Sequence, residues 1–183
     1  MINKTTLDSL RNELSVKAKN GIDFTLAASL VWLGIALIWT LETSAYNKSV
    51  LTFIGGGIML PLAFGFSKIL KTTWIIKENP IQPLGLWLNF AQLFYFPFLV
   101  FALIKMPEYF VMVYAIITGA HFFPYSWFYN NLFYAIFAGL LSIGSLILGL
   151  TLPGEQIFII PVFLGAALIL LSILLYFDSR KKL

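Results

Sequence analysis

The sequence predicts an all-α integral membrane bundle of six transmembrane helices with an N-terminal amphipathic helix. Three observations lead to this fold class. The mean hydropathy is +0.89, and 60% of the residues are hydrophobic against 11% charged, which lies outside the range of water-soluble domains. Six apolar stretches are each close to the roughly 20 residues that a helix needs to cross the hydrocarbon core. Lys and Arg are clustered between these stretches rather than spread along one face.

The first element, over residues 1–21, is predicted to be a cytoplasmic amphipathic helix. Thr5 followed by Asp8 resembles a helix start. Glu13 and Lys17 form an i,i+4 pair, which stabilises a helix by only about 0.2–0.5 kcal/mol. The membrane surface or the bundle must therefore supply most of the order of this helix. Its apolar residues recur at helical spacing, namely Leu7, Leu10 and Leu14.

One transmembrane domain, residues 22–177, follows, and a basic cytoplasmic tail occupies 178–183. The first apolar stretch is longer than the 7–15 residues or so of a cleaved signal peptide, so we expect it to be retained as a helix. The fourth stretch begins near Pro107, where a proline at a first helical turn loses no hydrogen bond. The six predicted spans are 22–41, 50–70, 84–104, 107–124, 131–151 and 157–177.

Two spans contain residues that disturb a helix. Pro124 either kinks the fourth span or ends it, and the aromatic residues at 125, 127 and 129 resemble an interfacial belt, which favours ending. In the second span, Gly55, Gly56 and Gly57 precede Pro61. These glycines either unwind the helix, as in the broken helices of transporters, or allow close packing.

Small residues recur along the last two spans. Ala135 and Gly139 are four residues apart, as are Ser145 and Gly149, and the sixth span contains 165–167 as Gly-Ala-Ala. Such patterns indicate close backbone contact between helices, either within one chain or between subunits. They make a homo-oligomer or a protein partner a reasonable expectation.

The distribution of cations predicts the orientation of the bundle. If six spans are correct, ten Lys and Arg residues lie on the side of the chain ends and two on the other side. Because positively charged loops stay in the cytoplasm, both termini are predicted to be cytoplasmic, in a bacterial plasma membrane. The clusters indicate orientation rather than nucleic-acid binding. The ten are Lys4, Arg11, Lys17, Lys19, Lys68, Lys71, Lys77, Arg180, Lys181 and Lys182, and the two are Lys48 and Lys105.

The most specific candidate site is a polar cluster in the inner half of the membrane. Asn89 and Gln92 lie on one side of the third span, and an amide facing lipid is unfavourable, so we expect them to face another helix. The link at 105–107 is so short that the third and fourth spans must be antiparallel neighbours. This places His121 at a similar depth, and Ser29 of the first span reaches the same level. These residues either connect helices by hydrogen bonds or form a site open to the cytoplasm.

The chemistry that the residues allow is limited. His121 is the only histidine and has no second metal ligand at helical spacing, so we expect no metal site. The chain has no Cys, which excludes thiolate chemistry and disulfides. Motifs for hydrolysis, phosphate transfer and dinucleotide binding are absent from the sequence, so no cofactor and no enzyme activity are predicted. An intramembrane enzyme that depends on His121 is kept as an alternative.

The segment GAHFFPYSW, at 119–127, resembles part of an uncharacterised family of small bacterial multi-pass membrane proteins. The resemblance covers the layout of spans over nearly the whole chain. It implies no activity or ligand, but it favours a functional role for His121 and Tyr125.

Two functional hypotheses are compatible with these features. The first is a non-enzymatic membrane component that binds a partner protein, membrane lipid or a small apolar ligand. The alternative is a small permease or channel subunit with a cytoplasm-facing polar cavity. No nucleic-acid partner is expected under either hypothesis.

Overall fold

The computed structural model describes residues 4–182, with side chains from residue 6 onward, and the regular secondary structure of this part of the chain is entirely helical. The predicted helix start at Thr5 therefore lies outside the described side chains. The described residues contain ten α-helices, which are α1 Lys4–Lys17, α2 Ile22–Trp39, α3 Ala45–Gly56, α4 Met59–Leu70, α5 Gln82–Leu93, α6 Phe96–Lys105, α7 Phe110–His121, α8 Phe123–Phe128, α9 Leu132–Thr151 and α10 Ile159–Lys181.

Within the described residues, five helical segments are long and apolar enough to cross a membrane. The six-span prediction is thus met only in part, because the fourth predicted span is not among the five. That segment consists of a 3-10 turn at Pro107–Tyr109, then α7, then α8. Like the second and third spans it is interrupted, here at Phe122, but it is less apolar than they are, because His121, Pro124 and Ser126 lie close together near its end. The five segments are Lys19–Trp39, Ala45–Leu70, Gln82–Lys105, Leu132–Thr151 and Gly154–Lys181.

The prolines and glycines interrupt helices at defined points. α7 ends at His121, and α8 begins at Phe123 with Pro124 in its first turn, so the chain is interrupted just before the proline and then continues as a helix to Phe128. In the second span, α3 gives way to α4 at Gly57 and Ile58. Gly56 also allows close packing, because a β-carbon there would lie 2.7 Å from the hydroxyl of Tyr114. The three glycines therefore do both: the helix breaks at Gly57, and Gly56 allows a close contact with another helix.

Four helices, α2, α7, α9 and α10, form the packed centre of the bundle. α2 and α10 are antiparallel, since Ser172 Oγ donates a hydrogen bond to Thr25 Oγ1 at 2.7 Å near one end, while Trp39 and Phe158 line one groove at the other. α7 and α9 approach closely at Gly119, where a β-carbon would lie 2.8 Å from the backbone nitrogen of Ser142. The small residues predicted as packing sites act within the chain at Gly149 and Gly165, whereas Gly139 has open space around it.

The third span, α5 and α6, is the least packed part of the bundle. Only 11% of its most apolar window is buried, against 56% for the span that contains α2. Gly85 contacts Phe128 near the start of α5, and Leu99 and Ala102 of α6 are buried beside Phe110. Most other side chains of this span are exposed.

The N-terminal helix α1 lies against one end of the bundle. Leu14 is fully buried, and the guanidinium of Arg11 donates to the carbonyl oxygen of Trp127. From the loop between α4 and α5, Asn79 Nδ2 donates to Leu10 O at 2.9 Å. The sequence predicts that either the membrane surface or the bundle orders this helix, and in the structure the helix packs against the bundle. We call the end covered by α1 the capped end.

Candidate functional site

The capped end begins with a turn of unusual backbone geometry between α1 and α2. Lys19, Asn20 and Gly21 all have positive φ angles, of 46°, 55° and 70°. Non-glycine residues rarely adopt this left-handed region, so the surrounding structure must hold the turn in place. Gly21 is required for two reasons, because a β-carbon there would also lie 3.1 Å from the hydroxyl oxygen of Tyr129. The turn places Asn20 inside the bundle.

Asn20 is the centre of a buried hydrogen-bond network that we call the polar junction. Its Nδ2 donates to Leu175 O and to Asp178 Oδ2, both at 3.0 Å. Its Oδ1 accepts from Ser15 Oγ, and its backbone oxygen accepts from the hydroxyl of Tyr134. One asparagine therefore links α1, α9 and α10.

The carboxylate of Asp178 completes the polar junction. Asn131 Nδ2 donates to Asp178 Oδ2 at 2.7 Å, and Lys182 Nζ lies 2.8 Å from the same oxygen. Lys182 also donates to Ser15 Oγ at 3.0 Å. Since buried polar groups are stable only when they are hydrogen-bonded, this set can join four separate segments firmly. The residues of the polar junction are Ser15, Asn20, Asn131, Asp178 and Lys182.

A second carboxylate, that of the buried Asp23, holds the loop between α4 and α5. Only 1% of Asp23 is exposed. Its Oδ2 accepts hydrogen bonds from Thr72 Oγ1 and Trp74 Nε1, each at 2.6 Å. Asp23 lies in the first turn of α2, where the helix dipole favours a negative charge. We did not predict this residue from the sequence, although an Asp inside the first turn of an apolar span was an available signal.

An aromatic cluster lies directly beneath the polar junction. Tyr125, Tyr129 and Tyr134 have ring centroids 5.8–6.0 Å apart. The ring of His121 lies 5.3 Å from that of Tyr125, nearly perpendicular to it. These rings fill the space between α7, α8 and α9. The structure thus brings together two residues that the sequence singled out.

The other predicted site residues lie apart from this pair. Ser29 Oγ donates to Leu26 O of its own helix at 2.7 Å, and its backbone oxygen faces Gly165 of α10. Gln92 is half-buried, while Asn89 is exposed and donates only within its own helix, to Gly85 O at 3.0 Å. Two pockets in the described part of the chain are lined by none of the five predicted residues.

Those two pockets lie at opposite ends of the bundle. The larger, about 600 Å³, is an open groove away from the capped end, and it contains Glu42, Lys48 and Glu155 above Trp39 and Phe158. The smaller, about 110 Å³, lies at the capped end between α1 and α10. Within residues 4–182, no group of three or more His, Cys, Asp or Glu side chains is arranged to hold a metal ion.

A family model matches residues 7–178 of the chain. The chain belongs to DUF7010, a family of unknown function. This membership agrees with the resemblance to an uncharacterised family. No curated protein and no solved structure matches the chain. The arrangement seen in this DUF7010 protein must therefore be interpreted from its own residues.

Proposed function

We propose that the chain crosses the membrane six times and keeps both ends on the cytoplasmic side. The segment 107–128 supports the sixth crossing, because it connects the two ends of the bundle. At its start, Pro107 O accepts from Ser49 Oγ of α3 at 3.0 Å. Just after its end, Tyr129 O accepts from Lys182 Nζ at the capped end. The capped end then holds ten of the twelve Lys and Arg residues, which favours a cytoplasmic position in a bacterial plasma membrane.

Within this topology, we infer a non-enzymatic role in which the protein binds a partner protein inside the membrane through its third span. The observation that supports this role is the position of Asn89. Its side chain is exposed on a span that is largely unpacked. The amide makes one hydrogen bond within α5, which leaves an N–H and most of the carbonyl capacity facing the surroundings.

The physical argument is one of unsatisfied polarity. An amide without hydrogen bonds in an apolar medium is unfavourable by roughly 2 kcal/mol or more. A neighbouring helix with a polar group would remove this penalty, and such contacts between membrane helices contribute about 0.6 kcal/mol on average. Leu86 and Leu93 lie three and four residues from Asn89 and are 57% and 50% exposed. The three residues form one helix face suited to a second helix.

A photo-crosslinking experiment tests this role. A photoreactive amino acid placed at Leu93 is expected to form a discrete protein adduct in intact membranes. Leu150 of α9 is the matched control, because it is 68% exposed but lies far along the chain from the Asn89 face. Asn89→Leu in the same chain is expected to abolish the adduct. Equal adducts at both positions, or none at Leu93, would contradict the proposed role. The mass of the adduct distinguishes a second copy from a different protein.

The permease hypothesis requires a conformational change at the capped end. The predicted cytoplasmic opening lies at the capped end, which α1 and the loop at 71–81 cover. A transport path there would open only if this cover moved. We therefore propose binding rather than transport, and flux of ions or metabolites in liposomes containing the purified protein would reverse that preference.

A further inference from the structure

The small pocket at the capped end is lined by two cations. Val16, Lys19, Tyr176, Ser179 and Arg180 surround a cavity of about 110 Å³. Since one water molecule occupies about 30 Å³ of liquid, the cavity has room for roughly four waters or one small polar group. Its position between α1 and the end of α10 is the level at which a membrane helix meets the headgroups if the proposed orientation is correct.

Among the described side chains, those of residues 6–182, the two cations in this pocket have no carboxylate partner. The ion pairs within 4 Å in this range are Arg11 with Asp8, Lys17 with Glu13, and Lys182 with Asp178. Lys19 and Arg180 belong to none of them. The carboxylate nearest to Arg180 in the sequence, Asp178, is bonded within the polar junction. The one nearest to Lys19, Asp23, accepts from Thr72 and Trp74. The lining therefore has an uncompensated positive charge, which favours an anion.

Each cation has one contact within the chain. Lys19 lies in the left-handed turn, and its Nζ donates to Leu70 O of α4 at 2.6 Å. Two further protons of the ammonium group are left for another acceptor. The guanidinium carbon of Arg180 lies 5.7 Å from the ring centroid of Tyr176. Tyr176 is 39% exposed and the adjacent Phe177 is 58% exposed, so the pocket is flanked by a surface suited to acyl chains.

We propose that this pocket binds a phosphate group, and that the phosphate belongs to an anionic phospholipid. An ammonium and a guanidinium group both donate charge-assisted hydrogen bonds to phosphate oxygens. Basic pockets between helices at the cytoplasmic surface bind anionic headgroups by this chemistry. The inference rests on the membrane topology proposed above, but it does not depend on the Asn89 face or its partner.

Native mass spectrometry of the detergent-purified full chain tests the proposal, with phosphatidylglycerol or phosphatidylcholine as the added probe. The unmodified chain is expected to retain phosphatidylglycerol in preference to phosphatidylcholine. Lys19→Gln and Arg180→Gln are each expected to weaken phosphatidylglycerol binding about tenfold, the usual effect of losing one charge-assisted hydrogen bond. Lys181→Gln is the matched control, because it removes an exposed cation adjacent in sequence that does not line the pocket.

A second arm separates a lipid headgroup from a soluble anion. Inorganic phosphate and glycerol phosphate are added as competitors, and neither is expected to displace phosphatidylglycerol at comparable concentration. Displacement would identify a soluble phosphate as the ligand and overturn the lipid assignment. Equal losses in Lys181→Gln and Arg180→Gln would overturn the pocket itself, since that result indicates general surface attraction.

A third measurement compares one variant with and without lipid, so its result does not depend on whether the Gln variants fold. Because the chain has no Cys, Val16→Cys introduces a single thiol at the pocket wall. Its reaction with a maleimide is expected to slow when phosphatidylglycerol is added and to be unaffected by phosphatidylcholine. An unchanged rate would contradict binding here, whatever the crosslinking result at Leu93.

Discussion

At the scale of single residues, the buried polar side chains of this protein are concentrated at one end and are hydrogen-bonded there. Asn20 alone contacts Ser15, Leu175 and Asp178 through its side chain. In a membrane protein most of the surface is apolar, so apolar burial distinguishes one packing from another only weakly. Directed hydrogen bonds of this kind specify which segments meet at the capped end.

Asn20→Gly is expected to destabilise the protein by about 2 kcal/mol or more, because it removes three hydrogen bonds and leaves their partners less satisfied. Glycine keeps the left-handed backbone accessible, so the loss reports on the side chain. Thermal unfolding of the purified protein in detergent measures the change. Asn130→Gly is the matched control, since Asn130 also has a positive φ, of 50°, but is exposed, and within the described residues its side chain bonds only to Asn12. Equal midpoints for the two variants would contradict a central role for Asn20.

Gly21→Ala and Gly34→Ala form a second matched pair. Gly21 combines a positive φ of 70° with close approach to Tyr129, whereas a β-carbon at Gly34 would meet nothing within 4 Å. We expect Gly21→Ala to lower the unfolding free energy by more than about 1 kcal/mol. Gly34→Ala in the middle of α2 is expected to be neutral or slightly stabilising. The same unfolding assay compares the two variants. A larger loss of unfolding free energy for Gly34→Ala than for Gly21→Ala would refute the packing explanation.

At the scale of elements, α1 and the loop at 71–81 form one cover over the bundle. Thr73 N donates to Lys17 O at 3.0 Å, and Asn79 Nδ2 donates to Glu13 Oε2 at 2.8 Å. Asp23 holds the other side of the loop through Thr72 and Trp74. α1 is thus ordered by specific contacts with the bundle rather than by its own weak helix pairs.

The cover is expected to loosen in acid. Hydrogen bonds from Lys17 and then Asn79 lower the pKa of Glu13 below its ordinary value. A lowered pKa in the folded state means that the contribution is present above the unfolded pKa and is lost as the pH falls through the folded one. We therefore expect amide exchange of Thr73, corrected for the intrinsic pH effect, to accelerate below about pH 4. Glu13→Gln is expected to remove this acid-dependent step, and a step that persists in the variant would point to another group.

At the scale of the whole molecule, the arrangement of charge and the path of 107–128 both support six crossings. If the segment 107–128 did not cross the membrane, every loop after it would lie on the opposite side from the one that the six-span topology predicts. Two exposed positions distinguish these topologies, Glu155 after α9 and Lys181 at the end of α10. Asn47 and Lys77, also exposed, serve as references on either side of the second span.

Single cysteines at these four positions test the topology. Intact cells treated with an impermeant maleimide are expected to be labelled at Asn47→Cys and Glu155→Cys. Lys77→Cys and Lys181→Cys are expected to react only after permeabilisation. Protection of Glu155→Cys together with labelling of Lys181→Cys would indicate that 107–128 does not cross, and the six-span proposal would fail.

Much of the fold could be predicted from the sequence, because the hydropathy that identifies a membrane helix is averaged over neighbouring residues in the chain. The apolar stretches correspond to helices in the structure, and the break at 57–58 and the end of α7 before Pro124 lie where glycine and proline indicated them. Of the candidate site, the sequence singled out His121 and Tyr125, whose rings are neighbours in the structure, but not the network beside them. It also placed Asn89 against another helix, whereas the structure leaves Asn89 facing outward.

The sequence by itself therefore determined an apolar helical protein, the positions of most helices and a strong asymmetry of charge, because each depends only on nearby residues. The tertiary structure decided where the polar side chains lie. Asn20 and Asp178 are far apart in the chain, as are Asp23 and Trp74, and their meeting depends on how the helices pack. Periodicity gives the face on which a residue lies but not which helix, if any, lies opposite that face. That is the physical reason why the polar junction and the exposed amide of Asn89 became visible only in the folded molecule.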